Sequence, residues 1–130
     1  MIAVFDTNVL VSALWTPSGK ASAIVNAALS RKLSLCHDYR IMDEYREVLL
    51  RPKFKFLTWQ VCSLLDAIEK DGISVVAPPL PEVPFPDETD RMFYEVAMFC
   101  HAPLVTGNLK HFPREAWIMG VADFYEMFRL

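Results

Sequence analysis

Residues 1–10 read MIAVFDTNVL, and they indicate the class of fold. The run from Met1 to Phe5 is apolar without alternation, which is typical of a strand buried on both faces of a parallel sheet. Asp6 follows directly, so it stands at the carboxyl end of the predicted strand. Apolar residues at helical spacing follow, from Val9 to Ala13. A buried strand that leads into a helix predicts an α/β domain, in which sites lie at the carboxyl ends of the strands.

Strand-like and helix-like segments alternate along the rest of the chain. Further strands are predicted at residues 33–36, 73–77, 104–106 and 117–119, and helices at 21–29, 38–50, 58–71, 88–101 and 122–130. Residues 78–86 contain five prolines and are predicted to be an extended connector. This order predicts a three-layer α/β/α sandwich with a mainly parallel central sheet, in a single domain spanning residues 1–130.

Composition narrows the class of protein. A chain of 130 residues that is 53% hydrophobic can build one core. It has no apolar run of eighteen residues and no leader pattern, so we expect a cytoplasmic protein that does not enter a membrane. Cys36, Cys62 and Cys100 form neither a disulfide framework nor a C-x-x-C zinc pattern, and we interpret them as core residues.

Charge is unevenly distributed along the sequence. The net charge of −3 argues mildly against a nucleic-acid partner. Residues 31–55, however, carry seven basic and four acidic residues, whereas residues 66–90 carry seven acidic residues and one lysine. The stretch 51–55, Arg-Pro-Lys-Phe-Lys, is a cationic patch that contains an aromatic ring. The alternative interpretation of this stretch is a solvated loop at a helix end.

Four oxygen-bearing side chains are predicted to converge on one edge of the sheet. Asp6 and Asn108 follow predicted strands. Glu44 lies three residues after Ile41 and so shares the apolar side of its helix, where a carboxylate is unfavourable without a partner. Asp90 stands on the inward side of the first turn of the 88–101 helix. Each has an ordinary alternative: helix capping for Asp6, a favourable helix dipole for Asp90 and turn chemistry for Asn108.

Together these groups favour a hard divalent cation. Clustered carboxylates repel one another unless a cation or a proton intervenes. Carboxylate, amide and water oxygens suit Mg²⁺ or Mn²⁺. The three histidines, His37, His101 and His111, share no short spacing, so zinc is not supported.

At these residues the chain resembles the PIN-domain nucleases, in particular the VapC-like ribonucleases that are toxin components of bacterial and archaeal toxin-antitoxin pairs. The matching segments are residues 4–13, 43–49, 51–54, 87–93 and 104–108. Each segment is weakly specific, but their order and spacing together are strong, and they span nearly the whole chain.

The resemblance implies metal-dependent hydrolysis of phosphodiester bonds in single-stranded RNA. It implies that Asp6, Glu44 and Asp90 are the catalytic acids and hold one Mg²⁺ or Mn²⁺, with Asn108 as a fourth metal residue. Many relatives have Asp at the position of Asn108, which places a second metal site in question. Supporting roles are implied for Asp87, Thr7, Asn8 and Ser12, and RNA-guiding roles for Arg46, Arg51, Lys53, Lys55 and Lys110. A small antitoxin protein and a homodimer are the implied partners.

Three other functions compete with this one. A PIN domain can bind nucleic acid or act as a scaffold without turnover. A Mg²⁺-binding receiver-type signalling domain needs an Asp after its third strand, but residues 73–77 run into Pro78. A haloacid-dehalogenase-type phosphatase needs D-x-D after the first strand, and Asn8 stands where the second acid belongs.

Overall fold

The computed structural model describes residues 1–129, and they form a parallel five-stranded sheet in the order β3-β2-β1-β4-β5. The strands are β1 (Ile2–Phe5), β2 (Ser34–His37), β3 (Ile73–Ser74), β4 (Leu104–Val105) and β5 (Ile118–Met119). Every described pair is parallel, with Ala3 beside Leu35 and Val4 beside Leu104. The predicted sheet type is therefore confirmed.

Helices cover both faces of this sheet. Their bounds are α1 (Thr7–Trp15), α2 (Lys20–Leu29), α3 (Tyr39–Leu49), α4 (Thr58–Asp71), α5 (Arg91–Cys100) and α6 (Val121–Phe128). Ala3, Val4 and Phe5 are all fully buried, and successive strand residues point to opposite faces, so each face carries a layer of helices. The three-layer α/β/α arrangement is thus confirmed, although Leu130, the predicted end of α6, lies outside the described residues.

A central aromatic group fixes α3 and α5 against β1. The Tyr45 hydroxyl, fully buried, donates a hydrogen bond to the Phe5 carbonyl at the end of β1. The Tyr45 ring lies 6.3 Å from the Phe93 ring of α5, centroid to centroid. On the other side, Phe5 meets Phe124 of α6 edge to face at 5.8 Å. These contacts fix the positions in which α3 and α5 pack against the end of β1.

A buried ionic network also joins α3 to α5. Asp38 caps α3, with its Oδ1 accepting from the Ile41 amide at 3.0 Å. The Arg40 guanidinium lies 2.8 Å from Asp38 and 2.7 Å from Glu95 of α5, and both carboxylates are buried. The long side chain of Arg40 thus bridges the start of α3 and the middle of α5.

Between β3 and Glu88 the chain forms no helix or strand, as the prolines predict. It is not extended throughout, because it turns at residues 81–82, where the Val83 amide donates to the Leu80 carbonyl at 3.3 Å. The strand predicted at 73–77 is shorter than expected, because β3 ends at Ser74 and the prolines follow soon after. Glu95 accepts a hydrogen bond from the Leu80 amide at 2.6 Å, and Arg91 donates to the Leu80 carbonyl at 2.7 Å. The connector is therefore attached to α5 rather than free.

Short 3₁₀ helices occupy Pro52–Phe54, Glu88–Asp90 and Leu109–His111. The second of these corrects one prediction. Asp90 does not lie in the first turn of an α-helix; it ends a 3₁₀ turn and immediately precedes α5.

None of the helices in residues 1–129 has the length and apolar character needed to cross a bilayer.

Candidate active site

Asp6 lies at the carboxyl end of β1, beside the end of β4. Its amide donates to the Val105 carbonyl at 2.9 Å, which continues the pairing of the two strands. Asp6 occupies the N-cap position of α1, but its side chain makes no capping hydrogen bond. Instead, its Oδ2 accepts from the Thr106 hydroxyl at 2.7 Å. The carboxylate is therefore held at the edge of the sheet, and Asp6 is only 6% exposed there.

Glu44 approaches this edge from the middle of α3. It is half-buried, whereas Asp43 and Glu47 on either side are exposed. The Thr7 hydroxyl lies 3.5 Å from Glu44 Oε2, so the start of α1 and the middle of α3 meet here. Because its neighbour Tyr45 is bonded to the end of β1, the position of Glu44 follows from the packing of α3.

Asp90, Asn108 and His111 form the third side of the site. His111 Nδ1 lies 3.2 Å from Asp90 Oδ2, and its Nε2 lies 3.0 Å from the amide nitrogen of the Asn108 side chain. The Asn108 backbone amide donates to the Thr106 hydroxyl at 3.0 Å. Polar contacts thus run without a break from Asp6 through Thr106, Asn108 and His111 to Asp90.

The three carboxylates influence one another electrostatically. Burial raises the pKa of Asp6 to about 6, the Thr106 hydrogen bond opposes this rise, and the charge of Asp90 adds to it. The pKa of Glu44 is raised by burial, then by Glu47, and also by Asp6. The pKa of Asp90 is raised by burial, then by Asp87, and also by Glu44, while His111 lowers it. Each acid therefore makes ionisation of another less favourable.

Comparison with known families identifies the domain that carries this site. A family model described as the PIN domain matches residues 3–110. The chain belongs to the PIN-domain family. PIN domains are typically nucleases, so the family supports a nucleic-acid substrate in general. No curated protein and no solved structure gives a significant match.

PIN nucleases generally use divalent metals, and the donors of this PIN domain suit such an ion. Three carboxylates with raised pKa values supply hard oxygen ligands. Within residues 1–129, Asp90 Oδ2 is buried and has no hydrogen-bond partner, although His111 Nδ1 lies 3.2 Å away. Over residues 1–129, however, no three acidic, histidine or cysteine side chains form a closed group around one point. These carboxylate oxygens are of the chemical type that a hard divalent cation prefers, and their role as metal ligands stays a prediction.

The predicted supporting residues of the PIN domain differ in their contacts. Asp87 is exposed and caps the 3₁₀ turn, accepting from the Thr89 amide at 3.0 Å, and this bond lowers its pKa. Asn8 Oδ1 accepts from the Gly107 amide at 3.0 Å and so links α1 to the loop after β4. Ser12 is exposed on α1 and makes no described contact with the three acids.

The predicted RNA-guiding residues fall in two places. Lys110 is exposed in the 3₁₀ turn beside His111, at the carboxyl edge. The others lie on α3 or just after it. Arg46 is 3.6 Å from Asp43, and Arg51 is 2.7 Å from Glu47, so both already have acidic neighbours. Lys53 and Lys55 are exposed beyond the end of α3.

Two residues of the site were missed by the sequence interpretation. Thr106 directly follows the buried strand β4, and a hydroxyl at the carboxyl end of a strand is the signal that was available in the sequence. His111 lies three residues after Asn108, a spacing that brings side chains together across a 3₁₀ turn.

Proposed function

We propose that this PIN domain is a metal-dependent endoribonuclease that hydrolyses phosphodiester bonds of single-stranded RNA. One observation carries the proposal: Asp6, Glu44 and Asp90 come from three separate elements, burial raises the pKa of each, and the charge of each adds to the rise in the pKa of one of the others. Burying these acids near one another lowers the stability of the fold, so stability does not explain their placement. Acids with shifted pKa values are typical of functional sites.

Asp6, Glu44 and Asp90 would hold Mg²⁺ or Mn²⁺, with Asn108 as a fourth oxygen donor. When bound, the ion supplies a water of lowered pKa and offsets charge on the scissile phosphate. The Thr106 hydroxyl orients the Asp6 carboxylate by donating a hydrogen bond to it. Tyr45 positions Glu44, its neighbour on α3, because its hydroxyl is hydrogen-bonded to the end of β1. Lys110 adds a positive charge at the same edge, where it would attract the phosphate backbone.

Cleavage of unstructured RNA tests the proposal directly. We expect the purified protein to degrade it with Mn²⁺ or Mg²⁺ and to stop in EDTA. Asp6→Asn and Asp90→Asn should each lose at least a hundredfold in rate, because each removes a charged ligand. Asp66→Asn is the matched control, since Asp66 is an exposed acid on α4.

Two outcomes contradict the proposal. Cleavage that persists in EDTA would exclude the metal mechanism, and cleavage that survives Asp6→Asn would exclude these ligands. RNA binding without turnover in any metal would favour the non-catalytic PIN domain instead.

We further propose a biological role as the cytoplasmic toxin of a toxin-antitoxin pair, with a small inhibitory protein as partner and a homodimer as the working form. The resemblance of the sequence motifs supports the toxin role, and the 53% hydrophobic content supports self-association. Expression should arrest growth unless a short neighbouring reading frame is expressed with it. Light scattering of the purified protein measures the oligomeric state.

A further inference from the structure

Three aromatic rings form a cluster on the surface where α1 ends. The Trp15 ring meets the Phe54 ring edge to face at 5.2 Å and the Phe56 ring at 6.3 Å, centroid to centroid. Phe54 and Phe56 stack on each other at 5.5 Å. Trp15 remains 62% exposed although two rings support it. We call Trp15, Phe54 and Phe56 the aromatic platform.

The backbone after α3 is shaped to build this platform. Pro52 begins a single 3₁₀ turn that ends at Phe54. Lys55 then adopts a left-handed conformation, with φ of 59°, which side-chain-bearing residues seldom take. The left-handed backbone conformation of Lys55 brings the rings of Phe54 and Phe56 together. Glycine is the usual residue in this conformation, but here it is a lysine.

Positive charge surrounds the platform. Lys53 Nζ lies 5.1 Å from the centre of the Phe54 ring. Arg51, Lys53 and Lys55 are all exposed, in a protein with a net charge of −3. Arg51 is paired with Glu47, but Lys53 and Lys55 take part in none of the ion pairs found within residues 1–129. Two lysines without an acidic partner, beside the exposed Trp15 ring and the two half-buried phenylalanine rings that support it, match a ligand that has both phosphates and flat bases.

The platform stands on the same helices as the candidate active site. Helix α1 starts at Thr7, next to Asp6, and ends at Trp15. At 1.5 Å per residue this separation is about 12 Å along the helix axis. Helix α3 carries Glu44 and leads to Arg51, whose charge lowers the pKa of Glu44. A ligand that lies along these two helices can reach both places.

We propose that the aromatic platform is a base-stacking subsite for the single-stranded RNA whose backbone reaches the three carboxylates. Trp15 stacks on a base, and Lys53 and Lys55 contact the adjoining phosphates. This rests on the proposed function. The separation of about 12 Å corresponds to at most roughly three to four nucleotides, the number for a fully stacked strand at about 3.4 Å per nucleotide, and to fewer for an extended strand.

Substrate length separates this subsite from the active site. We expect Trp15→Leu to raise KM about tenfold for an unstructured oligouridylate of roughly twelve nucleotides, a loss within the range for one stacked base, with kcat unchanged. A uridine dinucleotide has one nucleotide on each side of the cleaved bond and is too short to reach the platform, so the wild-type protein and the variant should share one KM for it. Trp59→Leu is the matched control, because Trp59 is a 70% exposed tryptophan outside the platform.

Direct binding keeps the two proposals distinguishable. In the Asp6→Asn background with EDTA, the longer oligouridylate should bind about tenfold more weakly when Trp15 is also replaced by leucine, and Lys53→Gln should reduce the salt dependence. Trp15-dependent binding without any cleavage would sustain the platform and overturn the nuclease. Cleavage with equal KM values for the wild type and Trp15→Leu at both lengths would overturn the platform alone, and a protein partner would then be the better occupant. Thermal unfolding of Trp15→Leu identifies any loss that comes from misfolding.

Discussion

At the scale of single residues, Asp6 is an acid whose charge opposes folding. Its pKa is about 6 in the folded protein against an ordinary 3.8, so the folded state binds the proton more tightly than the unfolded state does. The free energy of unfolding therefore falls as pH rises from about 4 to about 6. Above that range the loss of stability caused by ionised Asp6, the deficit, is complete. At 1.36 kcal/mol per pKa unit, the deficit is about 3 kcal/mol.

Asp6→Asn should remove this deficit in metal-free protein. We expect the free energy of unfolding to rise by up to about 3 kcal/mol at pH 8 and to be nearly unchanged at pH 4, because the asparagine can still accept from Thr106. Urea titration in EDTA at both pH values measures the change, with exposed Asp66→Asn as the control. A variant less stable than the wild type at pH 8 would contradict the burial of a charged Asp6.

Thr106 is a positioning residue, and its hydroxyl lowers the pKa of Asp6. Thr106→Val should raise that pKa, so the acid limb of the kcat/KM profile should move to higher pH, by roughly one unit for a single lost hydrogen bond. Thr106→Ser keeps the hydroxyl and should keep the profile. An acid limb that does not move in the valine variant would show that Asp6 does not control it.

The positions of Asp6 and Asn108 at strand ends, and of Glu44 on its helix, could be predicted from the sequence because they depend on local periodicity. The pairing of Asp6 with Thr106 could not, since the two are 100 residues apart and the sheet order brings β1 beside β4. The same holds for Arg40 and Glu95, which are 55 residues apart. Glu95 did carry a local signal as a lone acid between Tyr94 and Val96.

At the scale of elements, the contact between α3 and α5 depends on Arg40. Arg40→Met should lower the free energy of unfolding by about 3 kcal/mol, because Asp38 and Glu95 are left buried without a cation. Urea titration at pH 7 measures the loss. Adding Glu95→Gln should recover part of it, since one uncompensated charge disappears.

Arg46→Met is the matched control for Arg40. Arg46 stands on the same helix, and its partner Asp43 is 3.6 Å away with both side chains exposed. Its loss should change stability by less than about 0.5 kcal/mol. Equal losses from the two variants would mean that helix propensity, and not the buried network, determines the effect.

Element order and type followed from the sequence because apolar periodicity is strong in every segment. The misplaced boundaries have physical causes. Asp87 caps a 3₁₀ turn through Thr89, which delays the start of α5 to Arg91. The strand predicted at 73–77 ends at Ser74, since only β2 pairs with it and prolines follow from Pro78.

At the scale of the whole molecule, a bound cation should stabilise the fold by relieving repulsion among the three acids. With Mn²⁺ at about one hundred times its Kd, the free energy of unfolding should rise by about 3 kcal/mol and Tm by several degrees. The Asp6→Asn, Asp90→Asn double variant should not respond. Differential scanning calorimetry checks both, and equal shifts in the two proteins would place the ion elsewhere.

The two outermost strands, β3 and β5, have only two residues each. Neither margin of the sheet offers a foreign strand a run of free amides and carbonyls long enough to extend it. The parallel sheet therefore gives little template for fibril growth or strand exchange, although more than half of the chain is hydrophobic. Copies of this protein that associate would therefore do so through the side chains of helices and loops rather than by extending the sheet.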